Sequence, residues 1–74
     1  MSVNYILALR RYIRRRTAKA RGGVIAVKIR DICVDDKRCE YVIYTFLAEL
    51  VEKGVAQKRK QGVYLIDRAA VGLV

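Results

Sequence analysis

Two cysteines six positions apart, Cys33 and Cys39, bracket a pair of adjacent carboxylates, Asp35 and Asp36. These are the residues best placed to do chemistry. As thiolates the cysteines would offer two soft ligands to a metal. The chain has no histidine, so two thiolates alone cannot close a four-ligand zinc site. The first expectation is two small buried hydrophobes at a helix junction. A disulfide clamping one helix to the next comes second, since such bonds are rare inside cells except in hyperthermophiles. A redox switch comes third. The carboxylates are expected to cap a helix rather than to work as an acid pair. The single serine is Ser2 and no glycine-rich phosphate loop is present, so nucleophile–base pairs have no footing. No catalysis, cofactor, metal or small-molecule substrate is expected.

The remaining chemistry is positive charge. Sixteen basic and seven acidic residues give a net charge of +9. No acid precedes Asp31, whereas Arg10, Arg11, Arg14, Arg15, Arg16, Lys19, Arg21, Lys28 and Arg30 all do. The remaining basic residues, Lys37, Arg38, Lys53, Lys58, Arg59, Lys60 and Arg68, number the same as the acids, so the whole excess lies in the N-terminal part. Unopposed positive charge repels itself and costs stability, which favours a polyanionic partner over a merely solvated face.

Seventy-four residues make one small domain, and 54% hydrophobic content is too high for a disordered basic tail. No apolar run approaches a membrane span and no secretory signal is visible, so a cytoplasmic address without a membrane is expected. Scarce amides and abundant arginines fit a hot-growing source. No internal repeat or low-complexity linker appears.

Residues 36–67 organise the rest. At 100° per residue, Cys39, Ile43, Phe46, Leu47 and Leu50 fall on one side of a helix, with Val42 and Val51 flanking them. Lys37, Tyr41, Tyr44, Thr45, Ala48 and Glu52 fall on the other. Asp35 or Asp36 can cap its start and Gly54 can take the left-handed position at its end. Val55–Lys60 and Val63–Asp67 then read as two strands joined near Gln61-Gly62.

Upstream, residues 2–20 read as a helix capped by Ser2. Its inward stripe is Tyr5, Ile6, Leu9, Tyr12, Ile13, Thr17 and Ala20. Arg11, Arg14, Arg15 and Ala18 point outward, and Leu7 lies off the stripe. Gly22-Gly23 stops this helix. Val24–Val27 suits a short strand paired with the hairpin, or else the start of the next helix. Residues 27–33 make a short helix with Ile29, Ile32 and Cys33 inward, and Val34-Asp35-Asp36 turns into the long one.

A leucine-bearing helix, Glu52-Lys53-Gly54-Val55, the basic run Lys58-Arg59-Lys60, then Gly62 and Tyr64 resemble the last part of a winged helix-turn-helix domain. With the upstream elements the resemblance covers about residues 3–67, and it is nearest to small archaeal or archaeal-virus types. It departs from the family in lacking the glycine often found in the turn, and the apolar tail, residues 68–74, has no fixed counterpart. The fold it implies is α+β, a winged helix with three helices and a small antiparallel sheet carrying a basic hairpin.

The function it implies is double-stranded DNA binding by a transcription regulator or a nucleoid-associated, chromatin-like protein. Lys37, Arg38, Tyr41, Tyr44 and Thr45 would face the major groove, and Lys58, Arg59 and Lys60 would form the wing. Arg11, Arg14, Arg15, Lys28 and Arg30 are phosphate-contact candidates on charge alone. The competing class is a winged-helix interaction module that contacts protein or RNA in a transcription or ribosomal assembly, with the tyrosines as its contact face. A homodimer is also expected, because Leu7 and the uncharged tail Ala69–Val74 could cover each other across a two-fold axis. The alternative is a tail folded back on its own Leu7.

Overall fold

The first helix, α1 (Tyr5–Lys19), begins where Asn4 accepts a hydrogen bond from the Leu7 amide at 2.9 Å. That satisfies one of the free amides of the first turn, the work expected of Ser2. The structure is a computed structural model that describes residues 4–74, and Ser2 lies outside the described residues. At the other end the Arg68 guanidinium donates to the Ala20 carbonyl at 3.0 Å, and the Arg68 amide donates to Gly23 O at 2.8 Å. A cation on the last free carbonyls suits a helix C-terminus. Leu9, Tyr12 and Ile13 are the buried residues of α1, with Tyr5 and Ile6 at the margin.

Val24–Lys28 is a strand, β1, so the choice the sequence left open falls on the side of its β-branched residues. Ile25 and Val27 are buried on the face toward the helices. The next helix, α2, is shorter than expected, a single turn over Ile29–Ile32. Val27 and Lys28 are taken by pairing with Tyr64 and Val63 in the sheet and are lost to the helix. The chain then turns through Asp35, which holds φ at 52°. Aspartate tolerates this left-handed geometry better than most residues, so the missing glycine is replaced in kind.

The long helix α3 (Lys37–Glu52) is capped by Asp36, not Asp35. It buries Cys39, Ile43, Leu47 and Leu50 as the periodicity predicts. Phe46 and Val42 are half-buried on its flank, whereas Val51 is exposed. The helix stops at Gly54, φ 78°, where the Val55 amide reaches Leu50 O at 2.9 Å and the Gly54 amide reaches Val51 O at 3.1 Å. These two bonds satisfy carbonyls that would otherwise be orphaned, and the left-handed residue between them favours glycine.

Strands β2 (Ala56–Lys60) and β3 (Val63–Asp67) form the hairpin, and β1 joins β3 to give an antiparallel sheet in the order β1-β3-β2. Ile25, Val27, Ala56, Tyr64 and Ile66 face the helices. With Leu9, Ile13, Ile43 and Leu47 they make the buried core of an α+β protein. Each such aliphatic side chain contributes about 1.5–3 kcal/mol on burial. The tail is not spare. Residues Arg68–Leu73 form a 3-10 helix started by Asp67, whose carboxylate accepts from the Ala69 amide at 2.9 Å. Val71 and Val74 pack half-buried beside Ile13, between Arg10 and Arg14, so the tail folds onto its own α1. Among the described residues no helix is long and apolar enough to cross a membrane.

Candidate nucleic-acid interface

The hairpin tip is fixed from two sides. The Ile29 amide at the start of α2 donates to Gly62 O at 3.0 Å. From α3, Tyr44 meets Tyr64 edge-on, with ring centroids 6.3 Å apart and planes at 71°. Such a pair adds about 0.5–1.5 kcal/mol beyond burial. Gly62 has φ 81°, and a Cβ there would come within 3.4 Å of the Tyr44 hydroxyl. Tyr44, expected on the outer face, is therefore half-buried and braces the hairpin. Burial, and then the neighbouring Tyr44, push the Tyr64 hydroxyl pKa up.

Lys58, Arg59 and Lys60 are all exposed on β2. Lys58 pairs with Tyr64 and Lys60 with Val63, so Arg59 is an extra residue in a bulge. A bulge twists an edge and re-aims its side chains, so the three cations do not simply alternate. This feature could not be read from the basic run alone.

Between α2, α3 and the hairpin lies an open cleft of about 800 Å³. Lys28 and Arg30 wall it on one side, Glu40 and Tyr44 on the second, Lys60 and Gly62 on the third. Asp31 also lines it, and its carboxylate accepts from the Tyr12 hydroxyl at 3.0 Å. Burial raises the Tyr12 pKa, the Asp31 carboxylate adds to the rise, and the bond from the Lys28 amide opposes it. The cleft mixes cations with two carboxylates. Glu40 escaped sequence reasoning, because its side of α3 matters only once the hairpin is folded against it.

Lys37 and Arg38 are exposed in the first turn of α3, and Tyr41, 73% exposed, follows them. Thr45 is exposed, but its hydroxyl donates back to Tyr41 O at 2.8 Å, leaving oxygen lone pairs and the methyl for a partner. Asp36 spends both oxygens on structure: Oδ1 accepts from the Cys39 amide at 3.0 Å and Oδ2 from the Tyr5 hydroxyl at 3.1 Å. The Cys39 amide is the main reason its pKa lies below the ordinary aspartate value, with the Tyr5 bond adding to it. The hydroxyl of Tyr5 is pushed up, first by burial and then by that carboxylate.

Cys33 and Cys39 are joined by a disulfide, Cα–Cα 5.6 Å, rather than standing as two separate small hydrophobes. The fold brings the α2 end and the first α3 turn together because Asp35 reverses the chain between them. Both cysteines are buried. Among the described residues no group of three or more potential ligands could hold a metal ion.

Arg11, Arg14 and Arg15 lie apart from all this, exposed on the outward face of α1 around Ala8. Arg16 differs from them, its guanidinium carbon standing 5.8 Å from the centroid of the Tyr12 ring. The chain matches no protein-family model, and neither curated proteins nor solved structures give a significant match.

Proposed function

We propose that this chain is a winged helix-turn-helix protein that binds double-stranded DNA, with α3 as recognition helix and the β2–β3 hairpin as wing. The observation that carries this is a cleft between α2, α3 and the hairpin that is lined by Lys28, Arg30 and Lys60, with Lys58 and Arg59 exposed on the same hairpin and that hairpin braced against α2 and α3. The element order and the sheet order β1-β3-β2 suit such a domain.

On this reading the hairpin and the cleft cations Lys28 and Arg30 hold phosphates and set orientation. Lys37, Arg38 and Tyr41 enter the major groove, and Thr45 offers a methyl to thymine. Tyr44 contributes by holding the wing, so it fixes geometry rather than reading bases. The protein would act on the nucleoid in the cytoplasm, as a transcription regulator or chromatin-associated protein. A second copy would cover Leu73, 72% exposed, since Val71 and Val74 are already engaged.

Gel shifts on mixed-sequence duplex at two salt concentrations, with structured RNA as competitor, test the reading. If Lys28, Arg30, Lys58, Arg59 and Lys60 all meet phosphates, the log–log salt slope is about −4.5, from about 0.9 per contact. A flat slope, or displacement by RNA at equal concentration, would sink it. Displacement by RNA would support the second reading, an interaction module in a transcription or ribosomal assembly. Val34, 75% exposed, and Tyr41 around the start of α3 favour that second reading, because they suit protein contact better than phosphate.

A further inference from the structure

The interface above leaves the outward face of α1 unused. At 100° per residue Arg11, Arg14 and Arg15 fall within an arc of about 100°, facing away from the buried Leu9 and Ile13. Arg11 and Arg15 are about 6 Å apart along the axis at 1.5 Å per residue. They stand around Ala8 in a shallow groove of about 500 Å³. No acid occurs in α1, and the first in the chain, Asp31, is engaged by the Tyr12 hydroxyl.

We propose that this face binds the backbone of a second DNA duplex, so that one copy of the protein bridges two duplexes. The proposal rests on the DNA-binding function argued above. A second duplex is needed because the groove around Arg11, Arg14 and Arg15 shares no residue with the cleft between α2, α3 and the hairpin, while α1 and α3 both turn their apolar stripes into one core. The longest extent of the protein is 34 Å, about ten base pairs at 3.4 Å each. Duplex DNA has a persistence length of about 150 base pairs, so over that distance it is a rod and cannot wrap from one face to the other.

The chemistry of the face selects the partner. Its other members are Leu7, Ala8 and Ala18, with no aromatic ring on which an unpaired base could stack. Three guanidiniums without a base-reading groove element fit phosphates alone, so the second contact is independent of sequence.

The test uses one duplex tethered to beads and a second, fluorescent duplex free in solution, with the full chain added. The untagged protein should retain the fluorescent duplex on the beads. The triple variant Arg11→Gln, Arg14→Gln, Arg15→Gln should still shift a single duplex within about threefold of the parent affinity, while retention falls about tenfold or more. Its melting temperature and sedimentation should match the parent, since all three side chains are exposed. Unchanged retention by the variant would overturn the proposal and assign bridging to dimerisation. Parallel loss of single-duplex binding would overturn it too, by placing α1 on the same duplex. So would a parent that shifts one duplex and never retains the other, or a fluorescent duplex displaced preferentially by RNA. A parent that shifts no duplex at all takes down the DNA-binding function as well, and the missing shift tells the two failures apart.

Discussion

The outward face of α1 and the cleft between α3 and the hairpin are both basic, yet they are built in opposite ways. On α1 the cations come from one regular helix and meet no carboxylate along it. In the cleft Lys28, Arg30 and Lys60 come from three elements, β1, α2 and β2, and share their space with Asp31 and Glu40. A uniform row of charge holds any phosphate backbone with little preference. A mixed cleft beside a helix bearing Lys37, Arg38 and Tyr41 attracts less strongly overall but restricts the orientation of what enters. On the proposed function, the contrast separates holding DNA from choosing a site on it.

The largest change should come from breaking what the two regions share. Leu47 is fully buried beneath α3 in the same cluster as Leu9 and Ile13 of α1. Leu47→Ala should cost about 2–5 kcal/mol in chemical denaturation and weaken both faces together. A variant as stable as the parent would mean that the two helices do not rest on one core.

The next effect comes from a bond on the cleft side. The Cys33–Cys39 bond ties the end of α2 to the first turn of α3, with neither cysteine on α1. For so short a loop the chain-entropy account gives about 2 kcal/mol, or a melting temperature lower by roughly 8–16 °C under reductant. The unreduced, unfolded protein should show no titratable thiol, and two free thiols there would remove the bond from the account.

The periodicity of α3, the glycine stop, the hairpin and the outward arginines of α1 were legible in the sequence because each depends on neighbours within a turn or a strand. What was not legible depends on distant partners. The length of α2 is cut by β1 pairing with β3, so no local pattern could set it. Tyr44 looks exposed by helical phase and becomes half-buried only because Tyr64, some twenty positions later, meets it. The bulge at Arg59 arises from the register between strands, and the tail acquires its place from α1, the other end of the chain.

A smaller effect tests the cleft side against α1 directly. Replacing Lys58, Arg59 and Lys60 by alanine should leave the fold intact, because all three are exposed. The salt slope for a single duplex should become shallower by about 2.7, three contacts at about 0.9 each, with affinity about tenfold weaker at moderate salt. Tyr41→Ala should in contrast lower affinity for a preferred site more than for random duplex. Equal losses on both would mean that α3 does not choose.

The smallest effect concerns how α1 is joined to the start of α3. Asp36 caps α3 through the Cys39 amide and accepts the Tyr5 hydroxyl of α1, so one carboxylate connects the two regions. Its folded pKa lies below the ordinary aspartate value, chiefly because of the Cys39 amide. A carboxyl whose pKa is depressed by folding binds fewer protons when folded than when unfolded. Its contribution is therefore complete above the unfolded value, about 3.9, and is lost as the pH falls through the lower folded one. Asp36→Asn keeps a cap but removes the titration. The melting temperature of the parent should exceed that of the variant at neutral pH, and the gap should close on acidification below the ordinary aspartate range. Tyr5→Phe removes only the secondary donor, so it should narrow the gap less. A gap that stays constant from neutral to acidic pH would show that the charge of Asp36 does not join α1 to α3, leaving the shared core as their connection.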